Sequence, residues 1–148
     1  LAAERSAGAP TLDAATLAAL APLDTPGWQD DASVVEAVRE PLLAAAACYF
    51  LVARDHLGRV PDPIARFHLG NGARLERLDL LGDTSEKAME QGHGLMVNYL
   101  YDPQKIEANH EAYAERGEVI ASSSVRKALR RGGAAAALSI ARPSRSKP

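Results

Sequence analysis

Two short stretches hold the residue types that acid–base chemistry needs. One is Phe67-His68-Leu69-Gly70-Asn71-Gly72-Ala73; the other is Asn98-Tyr99-Leu100-Tyr101. Histidine titrates near neutral pH, so His68 can give or take a proton there. Tyrosine and asparagine supply a hydroxyl and an amide that can orient a ring or a bound group. On residue type alone, a structural or surface histidine is the commoner outcome at such a position. The second stretch reads equally as a core strand with tyrosine hydroxyls at its edges. Turn chemistry by itself accounts for Asn71.

The elements that must position these residues come next. Asn71-Gly72 between the runs Ile64 to Leu69 and Ala73 to Leu80 is a strong hairpin signal. Side chains alternate along a strand, so Phe67 and Leu69 are expected on a buried face with Ala65. His68 is then expected on the other face, with Ile64 and Arg66. In the second run Leu75, Leu78 and Leu80 alternate imperfectly. Leu95 to Tyr101 reads as a further strand, with Tyr99 and Tyr101 on one face and Asn98 and Leu100 on the other.

Helices are expected around this pair. Thr11 or Asp13 can cap a short helix with apolar positions Leu12, Leu17 and Leu20, ended by Pro22. Trp28 is expected to anchor a loop on the core. Ser33 and Glu36 have capping-box spacing, and Pro41 predicts either a kink or a new helix start. Leu42 to Val52, apolar nearly all round, predicts a buried central helix. Asp83 to Glu86 opens a short helix that Gly92 to Gly94 closes. Asp102-Pro103 predicts a helix start with Pro at its first position, the helix carrying Ile106, Tyr113 and His110 on its inner side and stopping at Gly117. Ser122 to Ser124 offer caps for a helix through about Arg131. Residues 1–10 read as a flexible lead or a cut linker, 11–131 as one folded unit, and 132–148 as a disordered tail.

The totals exclude several classes. A chain of 148 residues with net charge -2 lacks the basic face of a nucleic-acid-binding protein. The single cysteine excludes an internal disulfide framework, and its setting predicts a buried, inert thiol. His56, His93 and His110 have no metal-ligand spacing, so no metal site is expected. No apolar run approaches the ~20 residues of a membrane span, and no secretory signal opens the sequence. A reducing cytoplasm is the default location. The chain opens on Leu1 rather than methionine, which fits a truncated or processed chain. The basic cluster Arg126 to Arg131 reads as a solvated face.

From about Trp28 to Arg131 the sequence resembles the carboxy-terminal part of malonyl-CoA decarboxylases. The resemblance rests on Phe67-His68-Leu69 with Asn71-Gly72-Ala73, on Gly94-Leu95-Met96 with Asn98-Tyr99 and Tyr101, and on the spacing of Trp28 to Cys48-Tyr49. It implies decarboxylation of malonyl-CoA to acetyl-CoA and carbon dioxide, with His68 as the proton donor. It further implies Tyr101, Asn71 and Asn98 as substrate-binding or site-shaping residues. Neither a metal nor a prosthetic group is implied, since coenzyme A is part of the substrate. The implied fold is α/β, a mixed sheet flanked by helices as in part of a GNAT acetyltransferase. Also implied are a serine and a loop-to-helix junction for the CoA phosphates in the preceding segment of the same enzyme, and assembly into a homo-oligomer. A non-catalytic α/β interaction module and a CoA-dependent acyltransferase are the competing readings.

Overall fold

The computed structural model describes residues 12–131. The lead at 1–10, the cap offered by Thr11 and the tail at 132–148 lie outside the described residues. Six α-helices and two strands follow in the order α1 (Ala14–Ala19), α2 (Ala32–Leu51), α3 (Pro63–Gly70), β1 (Arg74–Asp79), α4 (Glu86–Gly92), β2 (Met96–Leu100), α5 (Ile106–Arg116) and α6 (Ser123–Arg131). Short 3₁₀ turns at Ala21–Asp24 and Trp28–Asp30 join α1 to α2. This is the α/β class expected.

Local chemistry explains most element ends. The Asp13 carboxylate accepts from the Thr16 amide and starts α1. Helix α2 starts two residues earlier than the capping-box reading placed it. Asp31, not Ser33, is its N-cap, accepting from the amides of Ser33 and Val34 and from the Ser33 hydroxyl. An ionised carboxylate makes stronger bonds to exposed amides than a hydroxyl does, and this one also takes up the serine that would compete with it. The helix then passes through Pro41 as a single element of 20 residues, not as a new helix beginning there. Its second half carries the core, with Leu42, Ala44, Ala46, Ala47, Cys48, Phe50 and Leu51 buried. Trp28 is buried against Leu20, Leu23, Val38 and Leu42, as the loop-anchor reading required.

The stretch before Asn71 departs from the hairpin expectation. Pro63 to Gly70 is helical, so His68 does not lie on a strand and Phe67 does not share a buried face with Leu69. Three features decide this, two of them local and the third the burial of one helix face. The Asp62 carboxylate accepts from the Ala65 amide at 2.9 Å, and Pro63 occupies the first helical turn, where its missing N–H costs nothing. Ala65 and Leu69, four apart, form the buried stripe, while Ile64 and Phe67 are each 65% exposed. Asn71 ends this helix rather than turning a hairpin, and Gly72 follows at φ 89°.

Strand β1 pairs antiparallel with β2, Leu75 opposite Tyr99 and Leu78 opposite Val97. The register slips between Leu75 and Arg77, leaving Glu76 as the extra residue of a β-bulge. The bulge is why the apolar residues of β1 alternate imperfectly: Leu75 and Leu78, three apart, both pack with the core. On the other side of β1, Leu75 bridges to Ala121 in parallel sense, so β1 has neighbours of both directions. The Ser122 hydroxyl donates to the bulged Glu76 carbonyl at 2.7 Å and also accepts from the Val125 amide that opens α6. Leu75, Val125 and Leu129 lie in the core with the apolar half of α2. The helix expected at Asp102-Pro103 begins later, at Ile106. Asp102 instead folds a turn, its side chain accepting from Gln104 and its carbonyl from Lys105 and Ile106. No helix among the described residues is long and apolar enough to cross a membrane.

Candidate functional site

Helix α3, the Gly72 turn and β1 run on without a break, and β2 lies along β1. The last turn of α3 therefore faces the far end of β2. This is what brings His68 to Tyr99 and Tyr101. The His68 ring stacks on the Tyr99 ring with centroids 4.4 Å apart and planes 21° apart. Its Nδ1 lies 2.7 Å from the Tyr101 hydroxyl. The Phe67 ring meets the imidazole edge-on at 5.2 Å. The stack fixes the plane of the imidazole, and the hydroxyl fixes which nitrogen points inward.

The hydrogen bond at Nδ1 constrains the chemistry. Either the hydroxyl donates to an unprotonated Nδ1, leaving the proton on Nε2, or Nδ1–H donates to the hydroxyl oxygen. In both cases Tyr101 holds the inner nitrogen, and among the described residues Nε2 has no hydrogen-bond partner. Nε2 is thus left open, where an imidazole nitrogen can give a proton to a bound molecule or take one.

Burial governs the tyrosines beneath. It pushes the Tyr99 phenol well above its ordinary value, and the negative charge of Asp62 pushes it further. Tyr49 is raised for the same two reasons, with Arg66 acting in opposition. Both phenols therefore stay neutral at physiological pH, and Tyr99 offers His68 an uncharged aromatic face.

The four residues expected at the site separate in the structure. His68 and Tyr101 meet. Asn71 is exposed at the C-cap of α3, one turn beyond His68, its backbone N–H bonded to the carbonyls of Phe67 and His68. Asn98 lies on the opposite face of β2 from Tyr99, as alternation requires, and its amide donates to the Asp79 carboxylate across the sheet. Tyr99 is the residue that reading the sequence passed over. Its signal was present, because it shares the strand face of Tyr101. What sequence could not show is that this face meets a helix. Among the described residues no group of three or more His, Cys, Asp or Glu side chains could hold a metal ion.

Around His68 the surface is apolar and open. Ile64, Phe67, His68 and Asn71 follow helical spacing on one side of α3. Tyr101, just past the end of β2, is also a large exposed side chain.

Comparison with known proteins identifies the family of the chain. A family model described as malonyl-CoA decarboxylase C-terminal domain matches residues 1–139. Mitochondrial malonyl-CoA decarboxylase of Anser anser anser is 37% identical over 98 residues, which are 66% of this chain and 19% of that protein. The Rattus norvegicus enzyme is 33% identical over the same length. Among solved structures, malonyl-CoA decarboxylase from Rhodopseudomonas palustris has 53% identity and a TM-score of 0.78, covering 86% of this chain and 29% of that one. The Agrobacterium vitis enzyme has 53% identity and a TM-score of 0.76, covering 81% and 30%. The chain thus spans about a fifth of the curated relatives and under a third of the solved ones. On the family match and on these identities, the chain belongs to the malonyl-CoA decarboxylase family and corresponds to a stretch of its C-terminal domain.

Proposed function

We propose that this chain contributes His68 as the proton donor in decarboxylation of malonyl-CoA, within a longer enzyme. The observation that carries the reading is the His68 imidazole held on two sides by Tyr99 and Tyr101, with Nε2 left for a substrate. In the reaction, the bond between the carboxylate carbon and the α-carbon breaks and carbon dioxide leaves. The electron pair passes into the thioester as an enolate. Placed donors stabilise the enolate oxygen, and a proton from His68 to the α-carbon completes acetyl-CoA. The thioester delocalises the charge itself, so the chemistry calls for neither metal nor prosthetic group.

The rest of the enzyme supplies what these residues do not. We assign to a preceding segment the serine that positions the substrate carboxylate or a relay water, and the helix start that grips the CoA phosphates. That segment would complete a GNAT-like sheet and cover the exposed side of α3 at Ile64 and Phe67. Asn71 and Asn98 remain candidates for shaping this site once it is complete. A cytoplasmic homo-oligomer is the working form.

The test is carbon dioxide release from malonyl-CoA by the full-length protein and by residues 1–148 alone. Turnover by the former, abolished by His68→Asn, and none by the latter is expected. A full-length protein that folds and binds malonyl-CoA yet releases no carbon dioxide would overturn the reading.

A further inference from the structure

An α-helix leaves its last four carbonyls without intrahelical partners. At the end of α3, which carries His68, each finds one. The Asn71 amide reaches the Phe67 carbonyl, the Ala73 amide reaches His68 and the Gly72 amide reaches Leu69. The Gly70 carbonyl is taken by a side chain 40 residues away: His110 Nδ1, at 2.6 Å. A carbonyl can only accept, so Nδ1 of His110 carries the hydrogen. The neighbouring Asn109, one of two buried polar residues in the described chain at 8% exposure, donates its amide to the Gly72 carbonyl at 3.2 Å. Between these bonds the first turn of α5 presses on the backbone. A side chain at Gly72 would collide with the carbonyl and Cγ2 of Ile106.

We infer that Asn109 and His110 are positioning residues for His68, acting as a clamp from α5 on the Gly70-Asn71-Gly72 turn. The inference rests on the catalytic reading of His68 only for its effect on rate. The clamp fixes both ends of the turn that joins α3 to β1. It thereby sets how the last turn of α3 sits over β2, and so whether Nδ1 of His68 reaches the Tyr101 hydroxyl. Neither side chain hydrogen-bonds to His68. Asn109 is explained by no core packing requirement, since an apolar residue would fill the same space without needing a partner. His110 is exposed, so its bond to Gly70 serves the turn rather than the core.

The test uses the full-length protein with His110→Ala, His110→Asn and Asn109→Ala, read by crystal structure and by steady-state kinetics. Asparagine places its amide nitrogen where Nδ1 stood, so His110→Asn should keep the parent geometry and rate. His110→Ala should lengthen the His68–Tyr101 contact beyond hydrogen-bond reach and lower kcat by roughly tenfold to a hundredfold with KM nearly unchanged, as misplacement of a reacting group does. Asn109→Ala should act in the same direction. Should it fail to fold, the exposed His110 still decides the matter. A parent-like His68–Tyr101 contact in His110→Ala overturns the inference whatever the rate does, and so does an unchanged kcat in an active enzyme. If the parent itself releases no carbon dioxide, the functional reading fails and the crystal structures alone judge the clamp.

Discussion

His68 and Tyr101 are 33 positions apart in sequence, yet Nδ1 of one lies 2.7 Å from the hydroxyl of the other. This contact assigns the two imidazole nitrogens different tasks, one held and one presented. For the full-length enzyme, His68→Asn should lower kcat by ~10²- to 10⁴-fold, the usual cost of losing a general acid, with a much smaller change in KM. Tyr101→Phe removes only the tether and should cost less. Rates for both variants, with folding checked by melting, decide the assignment; a folded His68→Asn enzyme turning over like the parent removes His68 from the chemistry.

Tyr99 separates ring from hydroxyl. If its role is to supply a face for the imidazole, Tyr99→Phe should retain parent kcat, while Tyr99→Leu should lose roughly tenfold or more through a free-turning His68. Parallel melting curves distinguish this from a packing defect. Equal losses in both variants would assign the effect to the hydroxyl instead.

Gly72 tests the turn. Its φ of 89° is costly for any residue with a side chain, by about 1–3 kcal/mol. The collision with Ile106 adds to that cost. Gly72→Ala should therefore lower the melting temperature clearly, whereas Gly117→Ala, where nothing crowds the added carbon despite φ 63°, should lower it less. Chemical denaturation of both variants checks the order, and a reversed order would refute the crowding.

Acid should loosen α2 at its start. Asp31 is held below its ordinary 3.8, first by the Ser33 hydroxyl and then by the amides of Val34 and Ser33. A carboxyl lowered on folding contributes stability that is complete above its unfolded value and is lost as pH falls through the folded one. The melting temperature should thus fall below about pH 4, and Asp31→Asn, which still caps but does not titrate, should make that fall shallower. Asp13, Asp55 and Asp83 are lowered too, so part of the slope persists. An unchanged slope in Asp31→Asn would show that the cap does not contribute.

Much of this protein is decided locally. The buried half of α2 follows from an apolar run long enough for several turns, and α4 from Ser85 and the glycines at 92 and 94. Strand β2 and the shared face of Tyr99 and Tyr101 follow from alternation. Such features depend on neighbours within a few positions, which the chain order displays directly.

Tertiary structure decided the rest. Ile64 to Leu69 carries β-compatible residues beside an Asn-Gly pair, and only the Asp62 cap together with the burial of Ala65 and Leu69 settles it as helix. The Glu76 bulge depends on Ser122, 46 residues on, to satisfy its carbonyl. The stack of His68 on Tyr99 and the grip of His110 on Gly70 each join groups more than 30 positions apart. Their partners are chosen by the packing of helices on the sheet, and no local pattern of residues encodes that choice.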